Sequence, residues 1–324
     1  MGVSHFSLLR ILADGRFHSG ERLGLELGIS PARVRACIQR IEELGLRVSR
    51  VRGRGCRLLE SVDLLDRGAL SARLAGSVPE IRLEVLDECP STNTTLMGRA
   101  AVGASHGSVL ACEHQSEGRG RHGNRWFSAP GAGVAFSILW RFSGGAGALA
   151  GLSLAVGVSV VRALAQLGAR GIGVKWPNDI YCCEKKLGGV LVEVAGDIRG
   201  PSAAVIGIGV NVRLHETMHS RIGLQAADLA LCMDAPPSRT VLLASLLESL
   251  ATVLARFSRE GFAPFREEWL QCHAWQGRRV ALSLGERRVA EGEIVGIAED
   301  GALILNSPWG AERFHAGELS LRQQ

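Results

Sequence analysis

A basic, glycine-rich loop hung on the end of a buried strand limits this chain more than any other feature. Between Gly118 and Arg125, three glycines and three arginines fall within eight residues, straight after an apolar run at 109–112. Such a run, bounded by polar residues, reads as a strand buried in a sheet, so the loop leaves from the end of that sheet. Glycine lets the main chain approach a ligand closely, and guanidinium forks match carboxylate and phosphate oxygens. The alternation therefore predicts an anion lying against the loop. A solvated basic turn shares the composition, and the loop alone does not choose between the two.

Neighbouring segments narrow the choice. Residues 81–89 alternate like a strand, and Ser91-Thr92-Asn93 opens a helix whose positive end would face a ligand; plain N-capping by Ser91 or Thr92 explains the same residues. Residues 134–141 read as another strand, and 149–167 as a long Ala/Leu/Val-rich helix, buried because it carries few charges. In Lys175-Trp176-Pro177-Asn178-Asp179, the proline ends any ladder and holds Asn178 and Asp179 at a strand end, although Asp179 as a simple turn cap fits too. Lys186 starts an alternating segment to residue 194 in which Gly188 and Gly189 permit close backbone approach, with Lys185 on the opposite face. Residues 202–212 are a final, almost wholly apolar strand. Helices and strands in this order predict a mixed α/β domain with one main sheet. Residues 61–79, polar and broken by Gly68 and Gly76, read as a linker with one short helix.

Composition matters for where charge sits. Residues 1–62 hold eleven arginines against six Asp or Glu, whereas the rest of the chain balances at 26 of each sign. The whole excess of +5 is N-terminal, which points to a nucleic-acid-binding module on a neutral body. Residues 4–13 read as one packed helix. Ser19 caps a second over 20–27, with Arg22 where a capping box takes Glu or Gln. Gly28 ends that helix; Ser30 caps a third and Pro31 takes its first position, where the missing N–H costs nothing. This third helix, 31–44, puts Val34, Ile38 and Ile41 on its core face and Arg33, Arg35, Gln39 and Arg40 elsewhere. Two helices joined by a tight glycine turn make a helix-turn-helix, and runs 46–52 and 56–59 around Gly53-Arg54-Gly55 make a hairpin whose tip reaches a phosphate backbone as a wing. Ser30, Arg33, Arg35, Gln39, Arg40 and Arg54 are the candidate DNA contacts; a structural helix pair with solvated arginines is the plainer alternative.

Residues 277–324 break into short alternating runs separated by Gly, Asn and Asp, the pattern of a small β-barrel. The expected organisation is α+β in three domains, 1–62, 63–275 and 276–324. Apolar runs are interrupted before about 18 residues and the first twenty lack a secretory pattern, so a cytoplasmic protein without a membrane span is expected. Eight cysteines without a C-x-x-C pair or clustered histidines read as free buried thiols rather than a zinc site. Cys182 and Cys183, adjacent on a strand, are expected to point to opposite faces.

Taken together and in order, Ser91-Thr92-Asn93, the stretch Gly118 to Trp126, Lys175 to Asp179, Lys186 to Glu193 and Ile206 to Asn211 resemble the biotin protein ligases, most closely the bifunctional form that is also the biotin operon repressor. The resemblance covers nearly the whole chain. It implies a winged helix-turn-helix, a central mixed α/β domain of class II synthetase-like type and an SH3-like barrel. It also implies formation of biotinyl-5′-AMP from biotin and ATP, with Mg²⁺ carried on the phosphates, and transfer to a lysine of the biotin carboxyl carrier protein of acetyl-CoA carboxylase. Repression at the operator DNA of biotin genes, by a homodimer formed on adenylate binding, follows from the same resemblance. Attack of a carboxylate on the α-phosphate builds negative charge that fixed cations and N–H groups must stabilise, and the compact Lys186 ammonium can follow moving charge. The resemblance places biotin against Ser91, Thr92, Asn93, Gln115, Arg119, Gly120, Arg121, Lys186 and Gly189. It places the nucleotide against Arg121, Trp126, Asn178, Lys186, Gly209 and Asn211, and makes Lys186, Arg121, Arg119 and Asp179 catalytic. Relatives commonly stack an aromatic from the region 213–256 on adenine; here that region has no Phe, Trp or Tyr, leaving His215, His219, Ile222 or Leu224. His114 stands where relatives often carry an aromatic and reads as packing.

Two other readings share most of this. A lipoate or octanoate ligase has the same fold with a different glycine-rich motif, and a biotin-sensing repressor without ligase activity has no need to keep Arg119, Arg121 and Lys186 together.

Overall fold

The computed structural model describes residues 4–196, 201–214, 218, 222, 226–316 and 319–323. Three N-terminal helices, α1 (His5–Leu12), α2 (Gly20–Leu27) and α3 (Pro31–Glu43), each start at a serine hydroxyl that accepts from the N–H three residues on: Ser4 from Ser7, Ser19 from Arg22 and Ser30 from Arg33. Each such cap stabilises its helix by about 1 kcal/mol. Gly28 ends α2 at φ 64°, ψ 34°, a left-handed conformation glycine takes without a Cβ penalty. A hairpin of β1 (Val48–Val51) and β2 (Gly55–Leu58) pairs antiparallel, and reciprocal 2.9 Å bonds between the main chains of His18 and Cys56 tie it to the loop before α2. Phe6, Leu9, Leu12, Leu23, Val34, Ile38, Ile41 and Leu58 form a core of their own; within α3 these are the i, i+4, i+7 positions expected from periodicity.

Residues 61–79 are not a free linker. Asp66 caps α4 (Arg67–Ser77), whose Leu70 and Leu74 enter the central core. Arg73 and Ser77 bond Glu248 of the long helix Arg239–Glu260 at 2.6–2.9 Å. Just upstream is a buried polar knot: Arg239 donates to Glu113 Oε2 at 2.6 Å, to the Asp63 carbonyl at 2.7 Å and to the Gly133 carbonyl at 2.7 Å, while Glu113 Oε1 accepts from the Leu65 N–H at 2.6 Å. A buried ion pair offsets its desolvation only when both ends find further partners, and here both do. From this segment the knot takes main-chain groups, the Asp63 carbonyl and the Leu65 N–H, which side-chain polarity does not announce.

The central sheet runs β3-β4-β5-β9-β8-β7-β6. Its strands are β3 (Arg82–Cys89), β4 (Ser108–Gln115), β5 (Gly133–Phe142), β6 (Ile172–Lys175), β7 (Asp179–Cys182), β8 (Lys185–Gly196) and β9 (Ser202–Asn211). β3 and β4, joined through α5 (Thr92–Ala101), are parallel; the other pairs are antiparallel. Strand alternation sorts the two faces. Leu139 and Val205 pack under α5 with Leu96. Ile138, Trp140, Ile206 and Ile208 belong to the larger core with α6 (Leu152–Gln166) and Arg239–Glu260. These last two helices, the first counted with its preceding turn, are long and apolar enough to cross a membrane by length and composition, and both are mostly buried in this core.

The C-terminal unit is an antiparallel sheet ordered β13-β12-β11-β10-β14, with β10 (Arg279–Leu284), β11 (Arg287–Ile297), β12 (Leu303–Ser307), β13 (Gly310–Phe314) and β14 (Leu319–Gln323). β11 starts five residues before its alternation is legible, because Arg287, Arg288 and Glu291 put charge on an exposed stretch. β14 has too few apolar residues to announce itself, and it pairs with β10. Val280, Leu282, Ile294 and Leu321 share the core of the central sheet, and the buried Trp176 indole donates to the Gly301 carbonyl at 3.2 Å.

Candidate active site

One open cleft of about 190 Å³ gathers most of the residues singled out in the sequence, between the ends of β4, β8 and β9, the 118–126 loop and the 175–179 turn. Its two ends differ in chemistry.

At the first end, buried polar groups bond one another. Gln115 Oε1, at the end of β4, accepts from the Thr92 N–H at 2.7 Å and lies 3.1 Å from Thr92 Oγ1. Ser137 Oγ on β5 sits 2.8 Å from Thr92 Oγ1 and 2.5 Å from Asn93 Oδ1; with a single proton it donates to one of them at a time. Asn93 Nδ2 donates to Glu193 Oε2 at 2.8 Å and to the Leu191 carbonyl at 3.3 Å. Ser91 caps α5 through the Thr94 N–H at 3.4 Å and also lines the cleft, so its two readings hold together. Ser137 and Glu193 do not line the cleft but hold Thr92, Asn93 and Arg119, which do; Ser137 lies in an apolar run at 134–140, where nothing but its polarity marks it.

The floor is bare main chain. A Cβ on Gly207 would stand 2.2 Å from Asn93 Oδ1, and one on Gly209 would stand 2.5 Å from the Trp126 ring. Only glycine lets Asn93 and Trp126 lie against β9. Trp126 itself is positioned by the loop, which closes as a hairpin through 2.8 Å Trp126 N–H to Gly118 and 2.7 Å Gly120 N–H to Asn124 bonds.

At the second end cations meet acids and amides. Lys186 Nζ lies 2.6 Å from Asp179 Oδ1, two side chains brought together by adjacent strands β7 and β8. Arg119 Nη2 bonds Glu193 Oε1 at 2.5 Å, the carboxylate that also accepts from Asn93, so this pair links the two ends. Arg121 donates to Asn178 Oδ1 at 3.1 Å and to the Ala316 carbonyl at 3.3 Å; burial pulls its pKa down, partly countered by Asp179. Asn178 Nδ2 donates to the Val190 carbonyl at 2.9 Å, which fixes the turn. Lys175, outside the expected set, also lines the cleft, with Nζ 3.3 Å from Tyr181 OH and 4.0 Å from the Trp275 ring centre; burial lowers its pKa. Leu319 and Leu321 of β14 complete the wall, so the C-terminal unit contributes to the site.

Ser91, Thr92, Asn93, Gln115, Arg119, Gly120, Arg121, Trp126, Asn178, Asp179, Lys186, Gly189 and Gly209 all line this cleft. Asn211 does not. Its Nδ2 donates to the Ala227 carbonyl at 2.9 Å, and it borders a small separate cavity with Trp126 and Met218: it shares the β9 face with Gly209, but the Trp126 ring lying on Gly209 separates it from the cleft. His114 packs as expected, its Nδ1 2.8 Å from the Ser128 carbonyl. Of the candidates to meet adenine, Ile222 packs with Phe127, Leu214 and Met218; His215, His219 and Leu224 lie outside the described residues.

On the N-terminal unit, Arg33 and Arg35 are exposed on α3, where Ser30 acts as its cap. Gln39 donates to Glu43 at 3.4 Å. Arg40 pairs with Glu43 at 3.2 Å and, across the domain boundary, with Glu88 at 3.0 Å. Arg54, at the hairpin tip, lies 4.4 Å over the Phe17 ring.

Two family models match the chain: the biotin/lipoate A/B protein ligase family over residues 85–211 and the biotin protein ligase C-terminal domain over 277–322. The bifunctional ligase/repressor BirA of Salmonella typhimurium is 37% identical, with 98% of this chain and 97% of that protein aligned, and that of Escherichia coli is 36% identical over 97% and 96%. A biotin protein ligase from Aquifex aeolicus, solved in complex with biotin and ATP, superposes with a TM-score of 0.64 at 30% identity, covering 75% of this chain and 99% of that one. With the cleft, its Gly-Arg loop and the near full-length match in agreement, the chain belongs to the bifunctional biotin protein ligase and biotin operon repressor family.

Proposed function

We infer that this protein is a biotin protein ligase: it joins biotin to ATP as biotinyl-5′-AMP and passes the biotinyl group to a lysine amine. The observation that carries this is the two-ended cleft, with a buried amide and hydroxyl network at one end and fixed cations at the other, joined by a glycine floor. The fused rings of biotin carry urea N–H and C=O groups, and they seat against Ser91, Thr92, Asn93 and Gln115 at the first end. The biotin carboxylate then lies near Gly120, Gly189 and the cations. Its attack on the α-phosphate shifts charge onto phosphate oxygens, where Arg119, Arg121 and Lys186 stand as donors already fixed by their neighbours, so little reorganisation is needed as the charge develops. Arg119 and Lys186 are now bonded to Glu193 and Asp179, so a phosphate replaces a carboxylate partner that each already has. Trp126, with Asn178 and Gly209, marks the nucleotide side. Asp179 is the carboxylate that would meet Mg²⁺ arriving on the ATP phosphates, where the ion would neutralise charge.

We further propose that the acceptor is the biotin carboxyl carrier protein of acetyl-CoA carboxylase, and that the N-terminal unit is a winged helix reading operator DNA of biotin genes through α3 and the β1–β2 wing. Two chains paired on adenylate binding give the half-site spacing such a reader needs, and the setting is cytoplasmic. The C-terminal sheet is read as an SH3-like barrel. The boundaries 1–62, 63–275 and 276–324 are supported by the separate N-terminal core, which includes Val62, and by the ties of Asp63 and Leu65 to the central domain, although Leu64 packs against the N-terminal core.

Labelled biotin, ATP and a carrier-domain acceptor test the reading in one assay. Biotin transferred to the carrier is the expected result. Labelled lipoate transferred in its place would favour the lipoyl alternative, and biotin binding without pyrophosphate release would leave a sensor. Removing residues 1–60 should abolish DNA binding and spare ligation.

A further inference from the structure

Away from the cleft, three thiols meet at the tip of the β7–β8 hairpin. Cys183 and Glu184 form its two-residue turn, both at positive φ, 48° and 62°. Such turns favour Asn and Gly, and neither is present. The turn takes Cys183 out of strand alternation, so its Sγ lies 3.6 Å from Cys182 Sγ rather than on the opposite face. Cys182 is buried and Cys183 exposed, and the Cys232 thiol lies close enough to act on Cys182.

We propose that Cys183 is a redox modification site, at which a hydroperoxide oxidises the exposed thiol and Cys182 resolves it to a vicinal disulfide. With hydrogen peroxide, the Cys183 sulfur attacks one peroxide oxygen; the S–O bond forms, the O–O bond breaks, and the thiol proton leaves with the departing oxygen as water. The Cys182 sulfur then attacks the oxidised sulfur; the S–S bond forms, the S–O bond breaks, and the hydroxyl leaves with the Cys182 proton as a second water. Two thiols are oxidised by two electrons and one peroxide is reduced. Exposure orders the two steps: Cys183 is reachable by peroxide, while burial pushes the Cys182 and Cys232 thiols up and keeps them protonated, the state of an inert thiol until a partner is activated beside it.

The hairpin is a sensitive place for this chemistry. Asp179 and Lys186 sit on its two strands, with Tyr181 opposite Lys186, and Glu184 at the tip is forked to Arg278 of the C-terminal unit at 2.5 and 2.6 Å. A covalent bond between sulfurs now in van der Waals contact draws the tip together and pulls on both. Oxidation should slow adenylate formation by about tenfold, less than the ~100-fold of a 1 Å misplacement. This last consequence rests on the ligase reading; the disulfide does not.

Full-length protein and Cys183→Ser are treated with hydrogen peroxide, alkylated, digested and mapped by mass, with and without dithiothreitol, and pyrophosphate release is followed in parallel. Expected is a peptide carrying both Cys182 and Cys183, lighter by two hydrogens and closed to alkylation, restored by the reductant and missing in Cys183→Ser. Cys183 left free, Cys183 driven to sulfinic acid beside an alkylated Cys182, or a bond from Cys183 to Cys232 would each overturn the site. Formation of the expected disulfide with unchanged pyrophosphate release would overturn the coupling. No release from reduced protein would instead sink the ligase reading, while the peptide map still decides the thiol site.

Discussion

Positive charge is handled differently in the cleft and in the N-terminal unit. Arg119, Arg121 and Lys186 are each fastened to a neighbour on the same framework: Glu193, Asn178 with the Ala316 carbonyl, and Asp179. On α3, by contrast, Arg33 and Arg35 stand exposed, and Arg54 rests on an aromatic face rather than an acid. The first region belongs to a stretch of chain whose charges cancel, the second to one with an excess of +5. A small anion enclosed by protein needs cations at fixed points, because short pairs dominate where the dielectric is low. A duplex needs surplus charge, because its affinity comes largely from counterion release.

The largest expected effect breaks the cleft side of this contrast. Lys186→Ala should slow pyrophosphate release by about 10²–10³-fold, the scale of losing one preorganised donor. Its melting temperature should hardly move, since a half-exposed ion pair contributes about 0–1 kcal/mol. If position matters more than charge, Lys186→Arg does not rescue, because a planar fork cannot replace a point charge. Near wild-type release in Lys186→Ala defeats the assignment, and near wild-type release in Lys186→Arg shows that charge matters more than its shape.

A second measurement asks which region suffers in acid. His273 is buried beside β6, the strand that ends at Lys175, and burial lowers its pKa to about 4. The unfolded chain takes up the proton from about pH 6.5 downward and the folded chain only near 4, so the stabilisation is whole above pH 6.5 and lost as pH falls towards 4, about 3 kcal/mol in all. The arginines of the N-terminal unit do not titrate there. Urea midpoints for the wild type should therefore drop between pH 7 and 4.5, and His273→Gln should flatten that drop. Equal slopes in the two proteins would show that His273 is not the group responsible.

Arg121→Gly has a smaller effect on rate and a distinct one on fidelity. It removes the bonds to Asn178 and Ala316 that hold the loop against the C-terminal unit and adds flexibility. Biotin and ATP turnover should persist while adenylate escapes, read as several-fold more labelling of bystander proteins. Labelling confined to the carrier domain would mean that Arg121 does not close the site.

Legibility in the sequence followed the kind of constraint. The caps Ser19 and Ser30, Gly28, Pro31 and the core face of α3 depend on local chemistry, and all were readable. The cleft residues were gathered by motif, because glycines and cations at fixed spacing leave a pattern. Ser137, Glu193 and the knot of Arg239 with Glu113 were not readable, since their meaning comes from strands and helices far apart in the chain. Asn211 misled because a two-residue period predicts a face but not the indole lying between that face and the cleft. Cys183 misled because strand alternation stops at a turn whose residues lack the usual turn chemistry.

The smallest effect tests whether the two regions are independent. Arg40 is an arginine of α3 treated in the manner of the cleft: Glu88 holds it at 3.0 Å across the domain boundary. Glu88 also faces His5 Nε2 at 3.7 Å and His114 Nε2 at 3.8 Å, and its β3 neighbour Cys89 pairs with Gln115 at the first end of the cleft. Glu88→Gln keeps a polar side chain but removes the charge. If Arg40 is held back from phosphate by Glu88, the variant should bind duplex DNA up to about fivefold more tightly, the limit set by an exposed ion pair worth about 1 kcal/mol. Its affinity should also fall more steeply with salt, the slope of log affinity against log salt gaining about one. Fluorescence anisotropy at two salt concentrations reads both. If Arg40 serves as a clamp between domains, the slope stays put and the N-terminal unit melts earlier, and the contrast between parked and surplus charge ends at Arg40.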